Sequence, residues 1–232
     1  MTQDVQALPM TRAVDVNSAE FAAWVGRVTP VPKSPKAAMA APSAQRPVTL
    51  HAYVNRRPQD WNTCGQAAIA TILDFHGRDP FGLSRPRHGA DGTPRWDDGE
   101  IIDALVNAGH GPDVVFGLGS TGGRIRDALT AYGLSAEVGW SGLFSGGWQD
   151  QWRTLRSSLE LGRPVPVCVD LGALGGDWYT AHWAIAYRLV NDTVYLGNCP
   201  WAPQVQVDRF LHAWHCWFLP IGFNHCGVYA RP

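Results

Sequence analysis

Gln59-Asp60-Trp61-Asn62-Thr63-Cys64-Gly65-Gln66-Ala67-Ala68 leads into a helical run that continues to His76. The run places Cys64 at a helix N-terminus, where backbone N–H groups lack intrahelical partners and the macrodipole is positive. Both effects favour thiolate over thiol, and the thiolate is the nucleophile. The same N–H groups can hold an oxyanion, with Gln59 upstream as the candidate second donor. The plainer reading is a small buried cysteine that starts a core helix.

A downstream segment decides between the two. His182-Trp183-Ala184-Ile185-Ala186-Tyr187-Arg188-Leu189-Val190 reads as a strand, Asn191-Asp192 as a turn, and Thr193-Val194-Tyr195-Leu196-Gly197-Asn198 as the returning strand. A two-residue polar turn between apolar arms signals a hairpin. Antiparallel pairing brings His182 and Asn198 to the same open end. An imidazole there can take or share the thiol proton, and a third group can orient it.

These residues resemble the motifs of papain-like cysteine peptidases of the C39 type, the family of bacteriocin-leader peptidases and stand-alone C39-like domains. The resemblance rests on Gln59, Cys64-Gly65, His182-Trp183 and Asn198-Cys199-Pro200, with Val207-Asp208-Arg209-Phe210 and Trp214 following as a helix. It covers Gln59 to about Trp217. It implies a papain-like α+β fold with a helical subdomain and an antiparallel sheet subdomain. It also implies amide-bond cleavage by Cys64, His182, Asn198 and Gln59, a peptide or protein substrate, and no cofactor or metal. The chain departs from the family pattern in four places. The Cys64–His182 separation is long, Asn198 stands where Asp is commoner, Cys199 splits the residue–Pro pair, and Gln59 sits one residue closer to the cysteine. The long spacing also resembles bacterial phytochelatin-synthase-like enzymes. The same triad serves an acyl or aminoacyl transferase, a deamidase, or a non-catalytic peptide-binding domain of this fold.

Composition limits the alternatives. A chain of 232 residues is long enough for one domain with a real core plus a tail. The net charge of −1 and the lack of a basic stripe argue against a nucleic-acid partner. No stretch reaches the roughly 18 consecutive apolar residues of a membrane helix, so no membrane insertion is expected. The start of the chain lacks the charge and apolar pattern of a secretory signal. Five cysteines cannot all pair. A reducing, cytoplasmic setting is expected, with export lacking a cleaved signal as the alternative. Oligomeric state is not legible.

The chain divides near residue 46. Residues 29–46 are rich in Pro and Ala and read as a linker after an N-terminal tail, leaving 47–232 as the folded domain. Asn17-Ser18-Ala19-Glu20 can cap a short helix in the tail. Within the domain, helices are expected from Asp97 to Ala108, Gly122 to Tyr132, and Trp148 to Leu161. Short strands are expected at Val114–Phe116, Ala136–Val138 and Val165–Val169. Helices first and antiparallel strands after make an α+β pattern.

Two rival motifs stand beside the triad. Gly117-Leu118-Gly119-Ser120-Thr121-Gly122 is a literal G-x-G-x-x-G between strand and helix, with Glu137 downstream, as in a dinucleotide site. Only one such unit is visible, so a Gly-rich connection over the groove is the competing reading. His212, His215, Cys216, His225 and Cys226 offer zinc-type donors without a common zinc spacing, and their aromatic neighbours favour packing. Cys168 lies in an apolar strand and is expected to be inert, while Cys199 neighbours the triad.

Overall fold

The buried helix that begins at Cys64 organises the molecule. A computed structural model describes residues 48, 50, 52, 62–78, 87–88, 94–95, 98–114, 119–141, 147–176, 181–218, 221–222 and 224–232. The tail and linker over 1–46, Gln59, and the expected strand at residues 115–116 lie outside them.

Helix α1, Cys64–Phe75, is buried continuously from Gly65 to Leu73. Small residues Ala67, Ala68 and Ala70 let neighbours approach closely, while Ile69, Ile72 and Leu73 fill the remaining space. Each fully buried Ile or Leu contributes roughly 1.5–3 kcal/mol. Its one mid-helix hydroxyl, Thr71 Oγ1, donates to the Ala67 carbonyl at 2.8 Å, so no donor is stranded. A two-residue ribbon, β1 (Arg87–His88) with β2 (Pro94–Arg95), precedes α2, Asp98–Leu105. The expected helix to Ala108 instead passes into a π-turn, Val106–His110, where Gly109 takes φ +86°. Helix α3, Gly122–Ala131, starts on Thr121, whose side chain accepts from the Arg124 N–H. Helix α4 is Trp148–Glu160 and helix α5 is Val207–Trp214.

The main sheet has six strands: β3 (Ser135–Gly139), β4 (Val165–Asp170), β5 (Ala181–Val190), β6 (Thr193–Gly197), β7 (Gln204–Gln206) and β10 (Gly227–Arg231). Their order is β3-β10-β4-β5-β6-β7 and every pairing is antiparallel. Strands β8 (Trp217–Phe218) and β9 (Ile221–Gly222) form a separate small ribbon.

Period-two alternation divides the core between the two faces of this sheet. Cys168, Trp183, Ile185, Val228 and Ala230 join α1, α2 and α3 in one cluster. Val165, Val167, Val169, Ala184, Ala186 and Tyr229 join α4 and α5 in the other. The fold is therefore α+β, with the thiol on the helical layer and the imidazole on the antiparallel sheet. The sheet is not assembled in chain order. Gly227–Arg231, a strand the sequence did not announce, is inserted between β3 and β4.

Candidate active site

Helix α1 presents Cys64 at its first position, and the Thr63 side chain does not cap that end. The N–H groups of Gly65 in the first turn and of Trp183 on the sheet both face the thiol. Strand β5 brings His182 opposite. The β5–β6 hairpin turns at Asn191-Asp192 as expected, with Val190 paired to Thr193. The register shifts between Ala186 and Arg188, leaving Tyr187 as a bulge. A one-residue slip exchanges the faces of a strand, so this bulge resets which residues face which layer beyond it.

At the open end of the hairpin, His182 Nε2 lies 2.6 Å from the main-chain carbonyl of Asn198. A carbonyl has no proton to give, so Nε2–H is the donor. Nδ1 is then the ring nitrogen left for the Cys64 thiol, to which His182 is hydrogen-bonded. The Asn198 side chain does not perform this task. Its Nδ2 donates instead to the Trp183 carbonyl at 3.1 Å. Asn198 sits at φ +56°, a left-handed conformation that Asn tolerates better than most residues. That backbone turn accompanies the contact between its carbonyl and the imidazole.

The two groups shift each other. Burial works against the Cys64 thiolate, but the hydrogen bond and charge of His182 and the N–H groups of Trp183 and Gly65 outweigh it, holding the thiol below its ordinary range. Burial likewise disfavours the His182 imidazolium. The Cys64 contact and the Asn198 carbonyl overcome that and raise its pKa. The pair therefore leans toward thiolate and imidazolium. The other shifted thiols move the opposite way. The hydrogen bond that the Cys168 thiol gives to Cys216, together with burial, lifts Cys168 well above its usual value. Burial raises Cys199, and burial with Cys216 pushes Cys226 up to about 12.

No family model and no curated protein matches the chain. Solved structures similar to it include two peptidase domains. One is a double glycine motif protease from an AMS/PCAT transporter in complex with the leader peptide, at 12% identity over 82% of this chain and 96% of that one, with a TM-score of 0.47. The other is the peptidase domain of Streptococcus ComA, a bi-functional ABC transporter involved in a quorum sensing pathway, at 14% identity over 78% and 99%, with a TM-score of 0.46.

The rival motifs go elsewhere. Among the described residues no parallel βαβ unit accompanies Gly119–Gly122, since β3 pairs antiparallel with β10. Among the described residues no group of three or more donors is placed to hold a metal. His225 bonds Ser141 Oγ through Nδ1 at 2.9 Å, and its ring meets Trp214 and His215. Sequence reasoning missed Trp201. It is 53% exposed, and its ring meets the His182 ring edge-on at 6.1 Å. Its place three residues after Asn198 was the available signal.

Proposed function

We propose that this protein is a papain-like, C39-type cysteine peptidase that cleaves amide bonds in a peptide or protein substrate. The observation that carries this reading is the placement of the His182 imidazole, held by the Asn198 carbonyl at 2.6 Å, beside the Cys64 thiol at the start of α1, where each group favours the charged form of the other. The motif resemblance supplies the peptide-bond substrate class.

In the proposed reaction the Cys64 sulfur attacks the scissile carbonyl carbon and the electron pair moves to the oxygen. N–H groups at the start of α1 stabilise that oxyanion, with Gln59, outside the described residues, as the second donor. His182 gives its Nδ1 proton to the leaving nitrogen as the C–N bond breaks. It then takes a proton from water, whose oxygen attacks the thioester and releases the acid and the thiolate. Asn198 acts as a positioning residue through its main-chain oxygen.

The test is covalent trapping. A peptide aldehyde should add to Cys64 in the native protein, detected by intact mass, and not in Cys64→Ala. Turnover of a peptide library with and without an added amine then separates hydrolysis from acyl transfer. A native protein that neither cleaves any peptide nor forms the adduct would leave a binding domain instead.

A further inference from the structure

The Gly-rich segment before α3 has a contact that points back to the thiol. Gln66, two positions after Cys64 on α1, is fully buried, and its Nε2 donates to Ser120 Oγ at 2.9 Å and to the His110 carbonyl at 2.7 Å. Trp183, the neighbour of His182 on β5, donates from Nε1 to the Ser120 carbonyl at 2.8 Å. Ser120 itself is 3% exposed. Side chain and carbonyl of one residue thus hold the helix of the thiol and the strand of the imidazole.

The connection closes on itself. The Trp183 carbonyl accepts from Asn198 Nδ2, and the Asn198 carbonyl accepts from His182 Nε2. His182 in turn bonds Cys64. Ser120 is braced from outside the ring as well. The Gly119 carbonyl accepts from the N–H groups of Asp113 and Val114, and the Asp113 carboxylate accepts from the Thr121 N–H at 2.7 Å and hydroxyl at 2.8 Å. The fit is tight: a Cβ on Gly65 would lie 2.6 Å from Ser120 Cβ and Oγ. This contact gives the glycine after the cysteine a physical reason, and Gly119 takes φ +147° to deliver Ser120 there.

We infer that Ser120 is a positioning residue for the Cys64–His182 pair, setting the helix against the strand through its hydroxyl and its carbonyl. The inference rests on the thiol–imidazole reading proposed above. A proton shared between sulfur and nitrogen depends on their separation, and a misplacement of about 1 Å can cost on the order of 10²-fold in rate.

The test is the pH dependence of Cys64 alkylation by iodoacetamide in the full chain, followed by peptide mapping. Ser120→Ala and Gln66→Met break the same buried bond from opposite ends. Each should slow alkylation about tenfold at pH ~6, the effect of raising the acid limb by about one unit. Rates should converge with the native protein near pH ~10. The double variant should be no worse than the more severe single, because the two residues share one bond. A cooperatively folded single variant whose acid limb superimposes on that of the native protein would overturn the proposal. So would loss of cooperative folding in both variants, which would assign the bond to stability alone. His182→Ala is the separate control. If it leaves the native acid limb unmoved, the thiol–imidazole reading fails by itself, whatever Ser120 does.

Discussion

The acceptor for His182 is a main-chain oxygen, so position 198 must supply a backbone shape before it supplies a side chain. That reverses the order of substitutions the motif resemblance suggests. With Asp the commoner residue in the family, Asn198→Asp ought to be the mildest change. In this structure an Asp would face the Trp183 carbonyl with an acceptor where Nδ2 now donates. Glycine keeps both the carbonyl and the positive φ. Asn198→Gly should therefore retain more activity than Asn198→Asp, and its loss should fall below the ~10²–10⁴-fold expected for removing the acid–base group in His182→Ala. Turnover or aldehyde trapping ranks the three, and an Asp variant equal to the native protein would restore a side-chain role. The thiol makes its own prediction. Since His182 holds Cys64 low while Cys168, Cys199 and Cys226 are raised, a thiolate-selective alkylator at mildly acidic pH should modify Cys64 before those three. Peptide mapping that finds Cys64 modified after them would contradict the shift.

Glycines in α1 and α3 separate propensity from packing at the scale of single elements. Replacing Gly by Ala inside a helix ordinarily gains up to about 1 kcal/mol. At Gly123 in α3 an added Cβ meets, among the described residues, Thr121 Oγ1 alone, at 3.5 Å, an ordinary contact. Gly123→Ala should stabilise the protein by a few tenths to about 1 kcal/mol. At Gly65 the same change drives a methyl into Ser120, and α1 is buried too thoroughly to move aside. Gly65→Ala should lower the urea midpoint and also slow Cys64 alkylation. A Gly65→Ala protein as stable and as reactive as the native one would mean the helix and the loop can part freely. The helices themselves were legible because their signals are local, as with Gly133 after α3 and Gly162 after α4, both at positive φ. The hairpin was legible for the same reason. The bulge at Tyr187 was not, because alternating apolar residues on both arms read equally well without it.

Whole-molecule features escaped the sequence wherever partners lie far apart in the chain. Gly227–Arg231 is short, and nothing local says it will insert between β3 and β4. The Asn198 carbonyl that accepts from His182 has no side-chain signature, so the sequence could not announce that contact. The domain boundary makes a direct test. Leu50 packs against the α1 cluster, and Leu50 and Ala52 lie close over Gly197. Deleting residues 1–46 should leave a cooperative unfolding transition. Extending the deletion through Ala52 should lower stability further, by up to about the 1.5–3 kcal/mol of a fully buried leucine, since Leu50 is partly buried. Equal midpoints for the two deletions would put the boundary further along the chain.

Acid should weaken the fold through a histidine that has no part in the proposed chemistry. His225 is 1% exposed, bonded to Ser141 and packed beside Trp148, Trp214 and His215. Burial, with His215 nearby, pushes its pKa down to about 3. In the unfolded chain it should titrate near the ordinary imidazole value of 6.5. Between those values the unfolded state holds a proton that the folded state refuses, so unfolding becomes easier as pH falls. Its contribution to that slope is at most about 1.4 kcal/mol per pH unit. His215, also lowered by burial and by His212, acts in the same sense. His182, raised in the folded state, acts in the opposite sense, and its contribution is lost as pH rises through its folded pKa. Urea midpoints should therefore fall steadily in the native protein as pH drops from ~6.5 through ~5.5 to ~4.5. His225→Asn suits the φ of +50° at this position and removes the titrating ring. Its stability at pH ~6.5 will drop because a buried ring is lost, so the informative quantity is the slope. The variant should lose less per pH unit than the native protein. Parallel slopes would mean that His225 takes up its proton without unfolding, and that the acid sensitivity of the fold lies elsewhere.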